Sequence, residues 1–246
     1  MSAFEVIIYE KKDGIAFITL NRPQFLNAYN VRMRDELYEV LGAVRDDPGV
    51  AVVILKGAGE KAFCAGADLT EFLTAPSPVI ARQARFARDV WGLFLSIERP
   101  VIAALHGYVL GSGIEMALCA DIRLASEDVR FGLPETGLGI IPAAGGSQTL
   151  PRTIGRAAAL DMLLSGRWLT AAEALKVKLV NRVLPRDRLL PETMRLAEKI
   201  RSHPSPAVRF IKQAVTRGLD LPLAEGLALE AALARRLSAW PAGGGE

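Results

Sequence analysis

The stretch Pro100-Val-Ile-Ala-Ala-Leu-His-Gly-Tyr-Val-Leu-Gly-Ser-Gly-Ile-Glu115 carries no Asp, Glu, Lys or Arg before its final residue. Val101–Leu105 reads as a strand apolar on both faces, the pattern of a parallel sheet covered on each side. His106–Glu115 then reads as a strand running into a glycine turn and a helix start. Glycine there permits positive φ and close backbone approach, and free amides at such a turn are good donors to an oxyanion.

The same grammar extends in both directions. Val6–Tyr9 and Ile15–Leu20 are apolar runs split by Lys11-Lys12-Asp13-Gly14, a hairpin pattern. Asn30 is placed to cap a helix with Met33, Leu37, Val40, Leu41 and Val44 on one face, ended by Asp47-Pro48. Val50–Leu55 is a buried strand. A long helix follows, carrying Phe86, Val90, Leu93, Phe94 and Ile97 on one face and Arg82, Arg85 and Arg88 on the other. Further strands are read at Ile122–Ala125 and Leu179–Val183. Beyond Thr170 the chain turns helical. Thr170-Ala-Ala-Glu173 matches a capping box, Ser205-Pro206 opens a helix closed at Gly218, and Asp220-Leu-Pro222 opens another reaching about Ser238. The expectation is an α/β core over 1–190, a helical region over 191–240 and a disordered tail over 241–246.

Composition bounds the function. The 246 residues are 50% apolar and 23% charged, which excludes a disordered chain. A net charge of +3 is too small to point to a polyanion partner. The longest charge-free stretches are Gly/Pro-punctuated and shorter than a membrane span. Two cysteines in apolar surroundings and two histidines leave no metal-ligand spacing. The expected setting is cytoplasmic, without a membrane.

Standard motifs fail. Gly57-Ala-Gly59-Glu-Lys61 lacks phosphate-loop spacing, Gly111-Ser-Gly113 lacks a third glycine, and Ser112 does not sit in a nucleophile elbow. His106, at a strand end, reads as a core or turn histidine. What remains are three glycine-rich segments: Ala62-Phe-Cys-Ala-Gly-Ala-Asp-Leu69, His106–Glu115 and Phe131-Gly-Leu-Pro-Glu-Thr-Gly-Leu-Gly-Ile-Ile-Pro142. Two carboxylates beside apolar walls suit acid/base chemistry. Locally, Ser112-Gly-Ile-Glu115 also fits a capping box, and Glu135 also fits an exposed turn acid. The residues alone suggest a site that activates an acyl group and name no reaction.

Taken together, these segments resemble the crotonase superfamily in its enoyl-CoA hydratase branch. The resemblance rests on Asn21-Arg-Pro-Gln-Phe-Leu-Asn-Ala28, Phe63-Cys-Ala-Gly-Ala-Asp68, Gly107–Glu115, Cys119-Ala-Asp121, Phe131-Gly-Leu-Pro-Glu135, Gly139-Ile-Ile-Pro-Ala-Ala-Gly-Gly-Ser-Gln-Thr-Leu150 and Ser205-Pro-Ala-Val208, spanning nearly the whole chain. It implies a spiral of ββα units with C-terminal helices that build a trimer, or a hexamer of two trimers. It implies Glu115 as the group that activates water and Glu135 as the proton donor to the α-carbon. The amides of Ala67 and Ser112 would form the oxyanion hole for a thioester carbonyl; many relatives carry glycine at the place of Ser112. Ala28, Ala65, Asp68 and Leu69 would line the coenzyme A site. Gln24 stands where relatives place a cation for phosphate, with Arg22 or Lys212 as substitutes. No cofactor is implied, because coenzyme A enters with the substrate. Phe72, Trp91 and Phe94 lie where the acyl pocket is lined, or are ordinary core. The implied activity is reversible syn hydration of a 2-enoyl-CoA thioester. Within the same family, the alternatives are double-bond isomerisation and a hydratase or dehydratase of cyclic or branched acyl groups. A nucleic-acid-binding relative would rest on Arg82, Arg85 and Arg88 alone.

Overall fold

Parallel strands buried on both faces dictate a layered core, and the chain builds one in repeated steps. The computed structural model describes residues 4–72 and 88–240. Phe86, Arg82, Arg85 and the tail 241–246 lie outside the described residues, as does the side chain of Phe72. β1 (Ile7–Lys12) and β2 (Ile15–Leu20) form the expected hairpin, and α1 (Val31–Asp46) follows, with Asn30 Oδ1 accepting from the Met33 amide at 2.9 Å. β3 (Val52–Gly57) and β4 (Ala62–Cys64) precede the short α2 (Leu69–Phe72). α3 (Val90–Ser96) leads to β5 (Val101–Leu105), β6 (Tyr108–Leu110) and α4 (Ser112–Leu118). β7 (Ile122–Ser126) and β8 (Arg130–Gly132) come next, then α5 (Gly146–Ile154) and α6 (Arg156–Ser165). β9 (Leu169–Thr170), α7 (Ala171–Lys176), β10 (Arg182–Leu184), α8 (Arg186–Arg201), α9 (Ser205–Gly218) and α10 (Leu223–Ser238) complete the chain.

The pairs β3–β4, β5–β6 and β7–β8 each lay their first strand in one sheet and their second in another, while β1 and β2 both join the larger sheet. The larger sheet has the order β1-β2-β3-β5-β7-β10, the smaller β4-β6-β8-β9. Between β2 and β10 all pairings of the large sheet are parallel, as are β4–β6 and β6–β8. The result is the ββα spiral. Alternation along the strands explains why their sequences are apolar throughout. On β3, Val53 and Leu55 join the main core between the sheets, while Val52 and Ile54 join a second core on the opposite face. Leu189 and Ala197 of α8 cover that second face. The boundary read at residue 190 therefore falls inside a helix that belongs to the sheet's packing.

Three expectations need adjustment. Val50 and Leu179 are buried as predicted, but their amides close turns onto Asp47 and Ala174 rather than joining ladders. Strands therefore begin at Val52 and Arg182. Asp89 accepts from the Gly92 amide at 2.8 Å and caps α3, so the helix that carries Phe94 begins at Val90. Arg88, the described member of the arginine stripe, pairs with Glu39 at 2.9 Å and Asp35 at 3.7 Å. No helix among the described residues is long and apolar enough to cross a membrane.

One buried acid ties the first strand to α1. The Glu36 carboxylate accepts from the amides of Glu5, Val6 and Ile7 at 3.0, 2.9 and 3.0 Å and from Arg32 Nε at 2.9 Å. Burial raises its pKa, but these donors outweigh that and hold it below the ordinary carboxylate value. Such a depressed group adds stability above the unfolded-state pKa and loses it as pH falls through the folded one. Glu36→Gln is expected to cost about 2 kcal/mol in urea unfolding at neutral pH. The gap to wild type should narrow on acidification.

Candidate active site

Two glycine turns, one from each of two successive spiral units, meet backbone to backbone. Gly66 has φ +103° and Gly111 φ +49°, conformations that side chains resist. A Cβ built on Gly111 would lie 3.5 Å from the Gly66 Cα, and one on Gly66 would lie 3.2 Å from the Leu110 carbonyl oxygen. The residues that follow these glycines, Ala67 and Ser112, are those the sequence singles out as amide donors.

Their amides are left free by the pairing around them. Tyr29 bridges the Ala67 segment in parallel, its amide donating to Gly66 O and its carbonyl accepting from the Asp68 amide, both at 2.8 Å. A residue between two such bonds turns its own N–H away from the partner. At Ser112, the first residue of α4, the amide has no preceding helical turn to bond. Among the described residues neither amide has an acceptor.

The platform beneath Ala67 is built from the Arg22–Asn30 loop. Asn27, fully buried with φ +55°, accepts from the Arg22 amide at 2.8 Å. Its side-chain amide donates to the carbonyls of Ala58 and Ala62 at 2.9 and 2.8 Å. Leu26 accepts from the Ala65 amide at 3.0 Å. Arg22 donates to Ala28 O at 2.6 Å and to Asp68 Oδ2 at 3.1 Å, with its guanidinium 4.7 Å from the Phe25 ring centre. Ala28, Ala65 and Asp68 thus come together in one cross-linked corner, with Gln24 and Leu69 exposed nearby in sequence. The substitutes expected for the missing cation are occupied internally. Arg22 is committed as described, and Lys212 donates to Arg99 O at 2.9 Å and to Asp121 Oδ2 at 2.7 Å.

Ala67, Ser112, Glu115 and Glu135 all line one cavity of about 440 Å³, walled otherwise by Gly139, Ile140, Ile141, Pro142 and Ala143. The two acids sit in opposite environments. Glu115 is 2% exposed, and its Oε1 accepts from the amides of Ala144 and Gly146, each at 2.9 Å. The capping-box geometry is not formed, because Gly111 is the N-cap and the Glu115 carboxylate turns to the 144–146 turn instead. A Cβ at Gly146 would stand 3.0 Å from both Cγ and Oε1 of Glu115, so any side chain there would press directly on that carboxylate. Glu135 follows Pro134 in a 3₁₀ turn, and its Oε2 is buried without a hydrogen-bond partner among the described residues. Burial and then the charge of Glu115 push the Glu135 carboxyl above its usual range. It is not the exposed turn acid that its local sequence also allowed.

Phe94 is fully buried core, and Trp91 packs against that core 5.6 Å from the Tyr29 ring; neither is among the cavity's lining residues. His106 is buried, and desolvation drives its pKa down to about 4; its Nε2 has no partner among the described residues. Among those residues no group of three His, Cys, Asp or Glu could hold a metal ion. Sequence reasoning missed Ala144 and Gly146, whose signal was the Gly145-Gly146 pair inside an uncharged stretch.

A family model described as enoyl-CoA hydratase/isomerase matches residues 10–239. The chain belongs to that family. It is 40% identical to the crotonyl-CoA hydratase of Syntrophomonas wolfei, over 93% of this chain and 88% of that one. It is also 40% identical to the short-chain-enoyl-CoA hydratase of Clostridium acetobutylicum, over 91% and 86%. The crystal structure of enoyl-CoA hydratase from Bacillus anthracis superposes with a TM-score of 0.90 at 37% identity, covering 94% of this chain and 90% of that one. The family and fold expected from the sequence are borne out.

The proximity of the acids has a direct readout. In Glu115→Gln the Glu135 carboxyl should titrate at lower pH than in wild type, yet still above an ordinary glutamate, because desolvation remains. Carbon NMR of labelled glutamate checks this; an unmoved titration would mean that the pair does not interact.

Proposed function

We propose that this family member hydrates 2-enoyl-CoA thioesters, reversibly and with syn stereochemistry. The observation that carries the reading is one cavity lined by a doubly bonded carboxylate, a carboxyl shifted toward its protonated form, and two residues with free amides. An isomerase or a hydrolase needs one acid/base group; water addition uses two, one for each end of the double bond.

In the forward step, Glu115 takes a proton from water as the water oxygen bonds to C3. The π electrons of the C2–C3 bond move toward the thioester carbonyl, and the amides of Ala67 and Ser112 hold the resulting enolate oxygen. Glu135 delivers its proton to C2. Exchange with solvent then returns Glu115 and Glu135 to their starting protonation. The environments suit these roles: an oriented anion is ready to accept a proton, and a desolvated carboxyl is ready to give one. Coenzyme A arrives as part of the substrate. Its adenine end is read against the cross-linked corner of Ala28, Ala65 and Asp68, with Leu69 and Gln24 at the edge. Apolar side chains exposed on α9 and α10, among them Ile211, Val215, Leu223 and Leu227, support association of copies into a trimer or a pair of trimers.

Mixing purified protein with crotonyl-CoA should lower the conjugated enoyl absorbance to an equilibrium level, with the gain of one water seen by mass spectrometry. Glu115→Gln and Glu135→Gln should each lower kcat by about 10²-fold or more. An isomerase would instead leave one of the two nearly silent. Gly146→Ala, which displaces the Glu115 carboxylate, should cost on the order of 10²-fold in kcat with little change in KM.

A further inference from the structure

Ser112 contributes more to the cavity than a backbone amide. It is 6% exposed, yet its hydroxyl has no hydrogen-bond partner among the described residues. That oxygen is also absent from the fully enclosed polar atoms left without a partner, a set that includes Glu135 Oε2. A buried residue whose hydroxyl is neither bonded nor sealed off must open it onto the cavity that the residue lines. A hydroxyl in such a place costs free energy unless a ligand completes it.

The neighbours define what that ligand is. Ser112 and Glu115 are three residues apart on α4, so their side chains share one helix face. Glu135 Oε1 lies 2.9 Å from the Cβ position of Gly111, the residue before Ser112. Ser112 therefore stands beside both acids in the wall of one cavity, and its hydroxyl bonds neither. Glu115 Oε1 is taken up by two amides, whereas Glu135 Oε2 is unused. A small ligand that both donates and accepts can satisfy three such groups at once. The apolar wall of Ile140, Ile141, Pro142 and Ala143 offers no comparable polar partner from its side chains.

We propose that the Ser112 hydroxyl is a third hydrogen-bond partner of the reacting oxygen, the attacking water in hydration and the 3-hydroxyl in the reverse reaction. This rests on the hydratase reading above. The hydroxyl gains and loses no proton overall. It donates to a lone pair of the water that does not attack C3, while Glu115 accepts the proton that leaves. Glycine at this position supplies the amide alone; serine adds a grip on the nucleophile.

The test separates the hydroxyl from the amide. Ser112→Ala keeps the backbone and the Cβ, and Ser112→Gly removes both hydroxyl and Cβ. Three quantities are measured for each: hydration of crotonyl-CoA, affinity for butyryl-CoA by calorimetry, and exchange of the butyryl-CoA α-proton in heavy water. The last two draw on the amides and Glu135 but not on an attacking water. Both variants should lose about tenfold in kcat for hydration, with affinity and exchange within about twofold of wild type. A matched fall in hydration and in affinity or exchange would place the effect at the amide and overturn the proposal. Hydration equal to wild type in Ser112→Ala would overturn it as well. Wild-type protein that hydrates no enoyl-CoA would instead sink the hydratase reading itself.

Discussion

Two turns can touch through their backbones only if neither carries a side chain at the contact, and the site depends on that constraint. Gly66 and Gly111 meet this way, each in a positive-φ conformation. The contact brings the residues after them, Ala67 and Ser112, to the wall of one cavity. It joins strands that are neighbours in the smaller sheet, β4 and β6, at the ends where both run out into turns. The spiral repeats the same crossover from one sheet to the other, so successive units deliver equivalent strand ends to one place. The Arg22–Asn30 loop then fixes the first turn from outside. Asn27 alone satisfies three backbone groups there.

The carboxylates show how environment divides labour between identical side chains. Glu115 rides on α4 and is aimed by amides 29 and 31 residues further along the chain. Glu135, in a turn that begins with proline, receives no such help and is desolvated beside its partner's charge. One is held by two oriented amide donors, the other is biased toward its acid form. Neither property belongs to the residue; both belong to what the fold packs against it.

That distinction also explains what the sequence makes legible. The hairpin, the Asn30 cap, the Thr170–Glu173 capping box and the limits of α9 and α10 are local patterns, and each forms as its residues dictate. The glycine-rich segments identify the site because glycine is informative wherever backbone must come close. The local reading of Ser112–Glu115 as a capping box fails because a distant turn offers the carboxylate two amides, a contact no nearby spacing encodes. Arg22 and Lys212 look like free cations in sequence and are internal struts in the fold, one bracing the Asp68 corner and the other tying α9 to Asp121. Burial of Val50 and Leu179 is legible from their apolarity; that their amides close turns is not.

The two thiols sit at the hinge points of the same architecture. Cys64 ends β4, with Sγ 3.9 Å from Gly66 O, and Cys119 follows α4, its Sγ donating to Glu115 O at 3.4 Å. Burial pushes their pKa values to about 11 and about 12, so at physiological pH both are protonated and shielded. Electrophiles can reach either sulfur only after the chain around β4 and α4 has opened. The protein thereby carries two natural reporters of its own local unfolding, one on each turn-bearing arm beside the cavity, with no label to introduce.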